Sequence, residues 1–454
     1  MTNLLLTYYG DDFTGSTDVM ESLELGGVPT VLFLEPPQPD QLQGRFAAVR
    51  AVGVAGVSRS MRPDEMDAEL IPKFKALKAL GAPLFHYKIC STFDSSPTIG
   101  SIGHAIDIGF DVFDPPVVPL AVGSPALRRY VVFGNLFARV GDTTYRLDRH
   151  PTMSKHPITP MHESDLRLHL AQQTTRKIGL IDVWHMERPD DEVAARFKAL
   201  IAEGCHIILI DTLDQRHLLH IGRLIWALRG ERPVFMVGSS GIENALTLYW
   251  QATGVVEKPR PLVAPGRVEQ LIVVSGSAAP PTAEQIEYAL ARGFAGIRLD
   301  SARLVDPAQA DEERERAVQC ALEILGTSAN SVLLFSALGP DDPAISSTSA
   351  HMKALGLDPQ TVGSRLGTQQ GLILRHLLER TGLQRACVAG GDTCGYSAKQ
   401  LGIYALETVV PIAPGAPLCR ASSNQPRFEG LQISLKGGQN GAADYFVKIR
   451  EGGA

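Results

Sequence analysis

Short apolar runs alternate along this chain with longer segments of helical spacing, the pattern of an α/β protein. In the first half, strands are expected at 4–9, 28–34, 48–54, 83–88, 131–134, 177–182, 206–210 and 234–238. Helices are expected between them at 64–80, 160–173, 190–203 and 214–229. Pro189 followed by Asp190, Asp191 and Glu192 suits the start of the third helix, where a proline fits and carboxylates meet the positive end of the dipole. Residues 255–268 hold three prolines and no hydrophobic period, which predicts a semi-rigid linker between a domain at 1–254 and another at 269–454. Beyond it the alternation restarts, with strands at 270–274, 295–299, 331–335 and 385–389 and helices at 281–292, 309–326, 364–381 and 396–402. From 404 to 436 the chain is richer in β character, and Leu431–Lys436 alternates as a strand should. A short helix is expected after Gly441. The expected fold is two α/β domains with largely parallel sheets.

Length and composition agree with that division. A chain of 454 residues exceeds one ordinary core, and two domains of about 200 residues are the natural expectation. Apolar residues make up 44%, charged residues 20%, and the net charge is −6, so neither nucleic acid nor an anionic membrane is an expected partner. No basic leader precedes the first strand and no apolar run approaches the length of a membrane span, which makes the cytoplasm the expected location. The six cysteines show neither C-x-x-C nor zinc spacing, and most sit in apolar stretches, as buried free thiols do. The histidines form no metal-ligand spacing, so no protein-held metal is assigned.

Chemistry concentrates in loops after predicted strands, where open α/β sheets bind ligands. Asp11-Asp12-Phe13-Thr14-Gly15 follows the first strand. Its paired carboxylates can accept hydrogen bonds from substrate hydroxyls, or one can act as a general base. Capping of the next helix is the plainer role for either aspartate alone. The stretch 86–103 is crowded with hydroxyls and carries Lys88 and Asp94, and Ser58-Arg59-Ser60 adds a second cation after another strand. Cations beside short donors suit a hydroxylated carboxylate ligand. The basic, proline-rich loop 148–157 suits a lid over an acidic substrate or a structured connector equally. In the second half, Ser275-Gly276-Ser277, Gly390-Gly391-Asp392-Thr393 and Gly437-Gly438-Gln439-Asn440-Gly441 each follow a strand. Glycine lets backbone N–H groups approach phosphate oxygens, and three such loops in one domain point to a nucleotide. No P-loop or dinucleotide fingerprint is present, so any phosphate site is built another way.

Taken in order, Asp11–Gly15, Tyr87-Lys88-x-x-Ser91-Thr92, Ser275–Ser277, Gly390–Thr393 and the glycine loop after Lys436 resemble the four-carbon acid sugar kinases, across nearly the whole chain. The resemblance implies ATP-dependent phosphorylation of an acid sugar hydroxyl, with substrate on the N-terminal domain, nucleotide on the C-terminal domain and the active site in the cleft between them. It implies substrate contacts from Asp11, Asp12, Arg59, Lys88, Ile89, Cys90 and Ser91, and ATP contacts from Ser275, Ser277, Gly390, Gly391, Asp392, Thr393 and Gly437. Mg²⁺ is expected to come with the nucleotide, and a homodimer is the family-level expectation. Asp12 and Asp392 are the two candidates to orient or deprotonate the attacking hydroxyl. Family members commonly read Lys-Ile-Asp-Ser-Thr-Leu-Arg-Gly in the substrate loop, whereas this chain has Cys90 in place of the aspartate and Asp94 in place of the arginine. That exchange of cation for anion raises a keto or branched acid sugar such as 3-oxo-isoapionate beside the four-carbon acids, among them 3-oxo-tetronate. A non-catalytic acid-sugar sensor and an ATP-using ligase are the alternative classes.

Overall fold

The computed structural model describes residues 3–156, 158–259, 261–327, 331–358 and 361–453; the side chains of Pro39 and Asp392, the latter a candidate base, lie outside the described set. The chain divides into two compact units, Met1–Arg260 and Pro261–Ala454.

The strands of the first unit are β1 (Leu6–Gly10), β2 (Thr30–Phe33), β3 (Ala51–Ala55), β4 (Leu84–Lys88), β5 (Val118–Ala121), β6 (Arg129–Val132), β7 (Asn135–Val140), β8 (Thr143–Arg146), β9 (Ile178–Ile181), β10 (Ile207–Ile210) and β11 (Val234–Gly238). Eight of them form a sheet in the order β2-β3-β1-β4-β11-β5-β10-β9. Every pairing in it is parallel. A sheet covered on both faces needs strands largely apolar on both, and most of these are, with His86 and Lys88 of β4 as buried exceptions. Phe74, Phe85, Phe113 and Phe235 pack beneath it, with ring centroids 4.4 Å apart for Phe85 and Phe113 and 4.9 Å for Phe74 and Phe85. The chain leaves β1 toward β2 on one side and leaves β4 toward β5 on the other. The topological switch point therefore lies at the carboxyl ends of β1 and β4, which are level, Gly10 opposite Lys88.

In the second unit the strands are β12 (Ile272–Ser275), β13 (Phe294–Arg298), β14 (Ser331–Phe335), β15 (Arg385–Ala389), β16 (Ile403–Ala413), β17 (Ala416–Ser423) and β18 (Gln432–Lys436). Their order is β13-β14-β12-β15-β18-β17-β16. The first five are parallel and the last two run antiparallel. Here too the first four strands repeat the 2-3-1-4 arrangement of the first unit. The switch point falls between β12 and β15, with Ser275, Ala389 and Lys436 level at their ends.

Three expectations are corrected. Residues 131–134 are not a strand of the main sheet. Phe133 and Gly134, both at positive φ (51° and 77°), turn the chain between β6 and β7 as a two-residue hairpin, which with β8 forms a separate antiparallel sheet. The interior strand missed there is β5, whose Pro119 breaks the usual reading of a central strand. The helix expected at 160–173 shrinks to Leu166–Leu170. The Met161 N–H bonds Met153 O at 2.9 Å, the Ser164 carbonyl takes the Leu136 N–H at 2.9 Å, and Asp165 caps only the short helix that begins at Leu166. The helix expected at 396–402 runs instead over Gly391–Gln400, so the diglycine turn is itself a helix N-terminus. No helix among the described residues is long and apolar enough to cross a membrane.

Candidate active site

At the first switch point the loops after β1, β3 and β4 are laced together by backbone. The Asp11 N–H donates to Lys88 O at 2.9 Å, and the Arg59 N–H donates to Asp11 O at 3.0 Å. That lacing sets the side chains. Arg59 forks onto Asp11, with Nε 3.1 Å from Oδ2 and a terminal nitrogen 2.6 Å from Oδ1; the same nitrogen reaches Asp12 Oδ1 at 2.8 Å. Asp12 caps the helix Phe13–Leu25, its Oδ1 taking the Gly15 N–H at 2.8 Å and its Oδ2 the Thr14 hydroxyl at 2.7 Å. Lys88, at the end of β4, is buried with Nζ 3.7 Å from Asp18 Oδ2.

The two aspartates differ electrostatically. Burial pushes the Asp11 carboxyl up despite the Arg59 guanidinium. Burial acts the same way on Asp12, but Arg59, Lys88 and the hydrogen bonds from Thr14 and Gly15 outweigh it and hold that carboxyl below the usual range. Asp11 is 3% exposed and Asp12 25% exposed. Asp12 thus offers an ionised, partly open carboxylate, and Asp11 fixes the guanidinium from behind.

The expected substrate-loop residues separate here. Ile89 is fully buried and engages only through its backbone, donating to Gly238 O at 2.8 Å. Ser91 is half-buried. Cys90 Sγ lies 2.9 Å from Thr92 Oγ1, which donates to Asp94 Oδ1 at 2.7 Å. Burial, and then Asp94, push the Cys90 thiol up to about 11, so it stays protonated near neutrality. Arg129, at the head of β6, interacts electrostatically with Asp94. Loop 148–157, of which 157 lies outside the described residues, contains two short 3₁₀ turns at Leu147–Arg149 and Met153–Lys155. His150 Nδ1 accepts the Thr152 and Met153 N–H groups there, at 3.2 and 3.1 Å.

In the second unit the three glycine loops interlock. The Gly276 N–H donates to Ala389 O and the Gly390 N–H to Lys436 O, both at 2.9 Å. A Cβ on Gly276 would sit 2.2 Å from Thr393 Oγ1 and 2.6 Å from Gln370 Oε1, so only glycine allows this approach. Gly390 holds φ at +127°, a conformation L side chains rarely adopt. The helix Gly391–Gln400 opens on this turn and presents backbone N–H groups beside it. Ser275, Ser277 and Thr393 are buried, as is Gly437, while Gly391 is exposed. Thr282 Oγ1 accepts from Ser277 Oγ at 3.1 Å and from Lys436 Nζ at 3.0 Å, and donates to Gly438 O at 2.8 Å. The structure thus groups all the expected ATP-contact positions whose placement it describes.

Sequence reasoning did not single out Asp18, Thr282, Gln370 or Arg129, which stand beside the expected positions, nor the burial of Lys436. Asp18 and Thr282 sit within helices, one and a half turns and less than one turn from their N-termini, where only the fold turns them toward a loop. Lys436 carried a usable signal, a lysine ending an apolar strand directly before a glycine run.

Residues 6–246 match the sugar-binding N-terminal domain family and residues 272–446 the nucleotide-binding C-terminal domain family. The chain is 49% identical to a 3-oxo-isoapionate kinase of Paraburkholderia graminis, over 99% of this chain and 94% of that one. It is 28% identical to a 3-oxo-tetronate kinase of Pectobacterium atrosepticum, over 97% of each. The crystal structure of Haemophilus influenzae protein HI1011 shares the fold, with a TM-score of 0.73 at 24% identity over 99% of this chain and all of that one. With both domain matches in the order the two units follow, the chain belongs to the four-carbon acid sugar kinase family.

Proposed function

We propose that the protein is an ATP-dependent kinase that phosphorylates a hydroxyl of 3-oxo-isoapionate. The observation that carries the substrate is the 49% identity to a 3-oxo-isoapionate kinase across both domains, against 28–30% for 3-oxo-tetronate kinases of similar coverage. The exchange at Cys90 and Asp94 supports it, since the loop that would read the sugar is the part that departs from the four-carbon pattern.

In the proposed reaction the substrate hydroxyl oxygen forms a bond to the γ-phosphorus, the bond from the γ-phosphorus to the β–γ bridging oxygen breaks in line with it, and ADP leaves while the hydroxyl proton passes to a carboxylate. Arg59 and Lys88 attract the acid sugar's carboxylate, with Asp11 fixing the guanidinium plane. Asp12, held ionised, accepts a hydrogen bond from the hydroxyl and aligns it. A loose transition state asks more for alignment than for a strong base, which suits a carboxylate with a lowered proton affinity. Asp392 is the second candidate to receive the proton. The Gly276, Gly390 and Gly391 region, with the helix N-terminus beside it, is proposed to hold the phosphates through backbone N–H groups, along with Ser275, Ser277, Thr393 and Gly437. Mg²⁺ would come with the nucleotide and would supply positive charge against its phosphates.

The test is product analysis with ATP and a panel of 3-oxo-isoapionate, 3-oxo-tetronate, D-threonate and D-erythronate. ADP should form fastest with 3-oxo-isoapionate. A faster reaction with another acid moves the substrate, AMP in place of ADP indicates a ligase, and no nucleotide turnover with any of them ends the kinase reading.

A further inference from the structure

Lys436 ends β18 with none of its side chain exposed, directly before the last glycine loop. No carboxylate among the described residues pairs with it; its one hydrogen-bond acceptor is Thr282 Oγ1, at 3.0 Å. The rings of Tyr445 and Phe446 lie 5.7 and 5.9 Å from Nζ. An ammonium taken out of water with no counter-ion among the described residues is costly, and folding alone gains little from placing one here. What surrounds it is the phosphate-side scaffold. Its own carbonyl takes the Gly390 N–H, and its ammonium bonds Thr282, which in turn bonds Ser277 and Gly438 O, so one residue is tied to all three glycine loops.

We propose that Lys436 is the counter-charge for the nucleotide's phosphates, a positioning residue that acts from beneath the loops through Thr282 and the backbone of Gly390 and Gly438. The proposal rests on the reading of these loops as a nucleotide site. Burial lowers Lys436 to about 8, and among the described residues the titratable groups facing it are thiols and a phenol: Cys387 on β15, pushed up to about 12, Cys394 on the following helix, and Tyr445, also raised by burial. Phosphates arriving above this site favour the ammonium, so nucleotide binding near pH 8 takes up a proton, and none of the neighbours is placed to supply it.

The experiment is titration calorimetry of the full chain with ADP at pH 8, in two buffers of different ionisation enthalpy. The wild type should take up about half a proton per ADP. Lys436→Met should bind ADP roughly tenfold or more weakly, with the uptake gone, while KM for the acid sugar is unchanged; Lys436→Arg should recover affinity without the uptake. Binding of ADP by the wild type with no proton uptake overturns the proposal without any variant, and leaves the nucleotide reading standing. Equal ADP affinity in folded Lys436→Met also overturns it. No ADP binding by the wild type overturns both.

Discussion

Arg59 and Asp11 meet as a fork, two nitrogen–oxygen contacts of 2.6 and 3.1 Å, behind a second aspartate that shares one of the same nitrogens. The fork fixes the plane of the guanidinium before any ligand arrives, which is the pre-organisation a carboxylate-binding site needs. Lysine keeps the charge and cannot fork. Arg59→Lys should therefore raise KM for the acid sugar roughly 10- to 100-fold, and lower stability by about 1–3 kcal/mol as Asp11 loses a partner. KM for ATP should stay unchanged. Steady-state kinetics in both substrates check this, and a shift confined to KM for ATP would contradict it.

Asp12 serves the helix and, on the proposed mechanism, the substrate, and one substitution separates the roles. Asparagine caps a helix about as well as aspartate but offers a neutral acceptor. Asp12→Asn should keep the melting temperature within about 2–4 °C of wild type and lower turnover about a hundredfold, with little change in KM. The matching Asp392→Asn variant assigns the proton. Whichever variant loses turnover far more than affinity marks the group that handles it. Near wild-type turnover in both would remove carboxylate assistance from the mechanism.

Which parts of this arrangement were legible in the chain depends on how local their causes are. Gly390 announces a tight turn because its backbone conformation is one that L side chains rarely adopt, and Asp12 announces itself by standing between an apolar strand and a helix. The strands β1, β3 and β4 are long apolar runs, so the loops after them could be placed from pattern alone. Asp18 and Thr282 gave no such sign, because each acts through a partner far away in the chain, Lys88 for one and Lys436 for the other. The interior strand β5 was hidden by Pro119, and the hairpin at Phe133-Gly134 looked like a strand because its two arms are apolar and the turn adds only two residues.

That hairpin carries a pH dependence of its own. Asp211 is fully buried and accepts the N–H groups of Phe133, of Gly134 at 2.9 Å and of Val183 at 2.9 Å. Burial nonetheless pushes its carboxyl up to about 6. Between the ordinary carboxylate value, about 4, and 6 the folded chain then binds more protons at this site than the unfolded chain. The site's contribution to stability therefore falls as pH rises through that window and is level above it. Denaturant unfolding at pH 4.5 and 6.5 should show this component in the wild type and not in Asp211→Asn. An identical difference between the two pH values in both proteins would refute the assignment.

On the proposed function, the loop at 88–94 reads the acid sugar. Asp94 stands where relatives of the four-carbon type commonly carry arginine, and its Oδ1 is tied through Thr92 to Cys90. Arg129 answers it electrostatically from β6, with a buried Nε that has no hydrogen-bond partner among the described residues and a terminal nitrogen anchored on the Leu127 carbonyl at 3.0 Å. Restoring arginine at 94 alone would set two guanidinium groups against each other, so Asp94→Arg should lose activity on every acid sugar. Cys90→Asp with Asp94→Arg returns a carboxylate beside the new cation and recreates the four-carbon loop. That double variant should shift the ratio of kcat/KM for 3-oxo-tetronate over 3-oxo-isoapionate by roughly tenfold or more relative to the wild type, about the effect of one charged hydrogen bond. An unchanged ratio in a folded double variant would mean that this loop does not read the sugar, and would turn the search for specificity to the β6–β8 insertion and Arg129 itself.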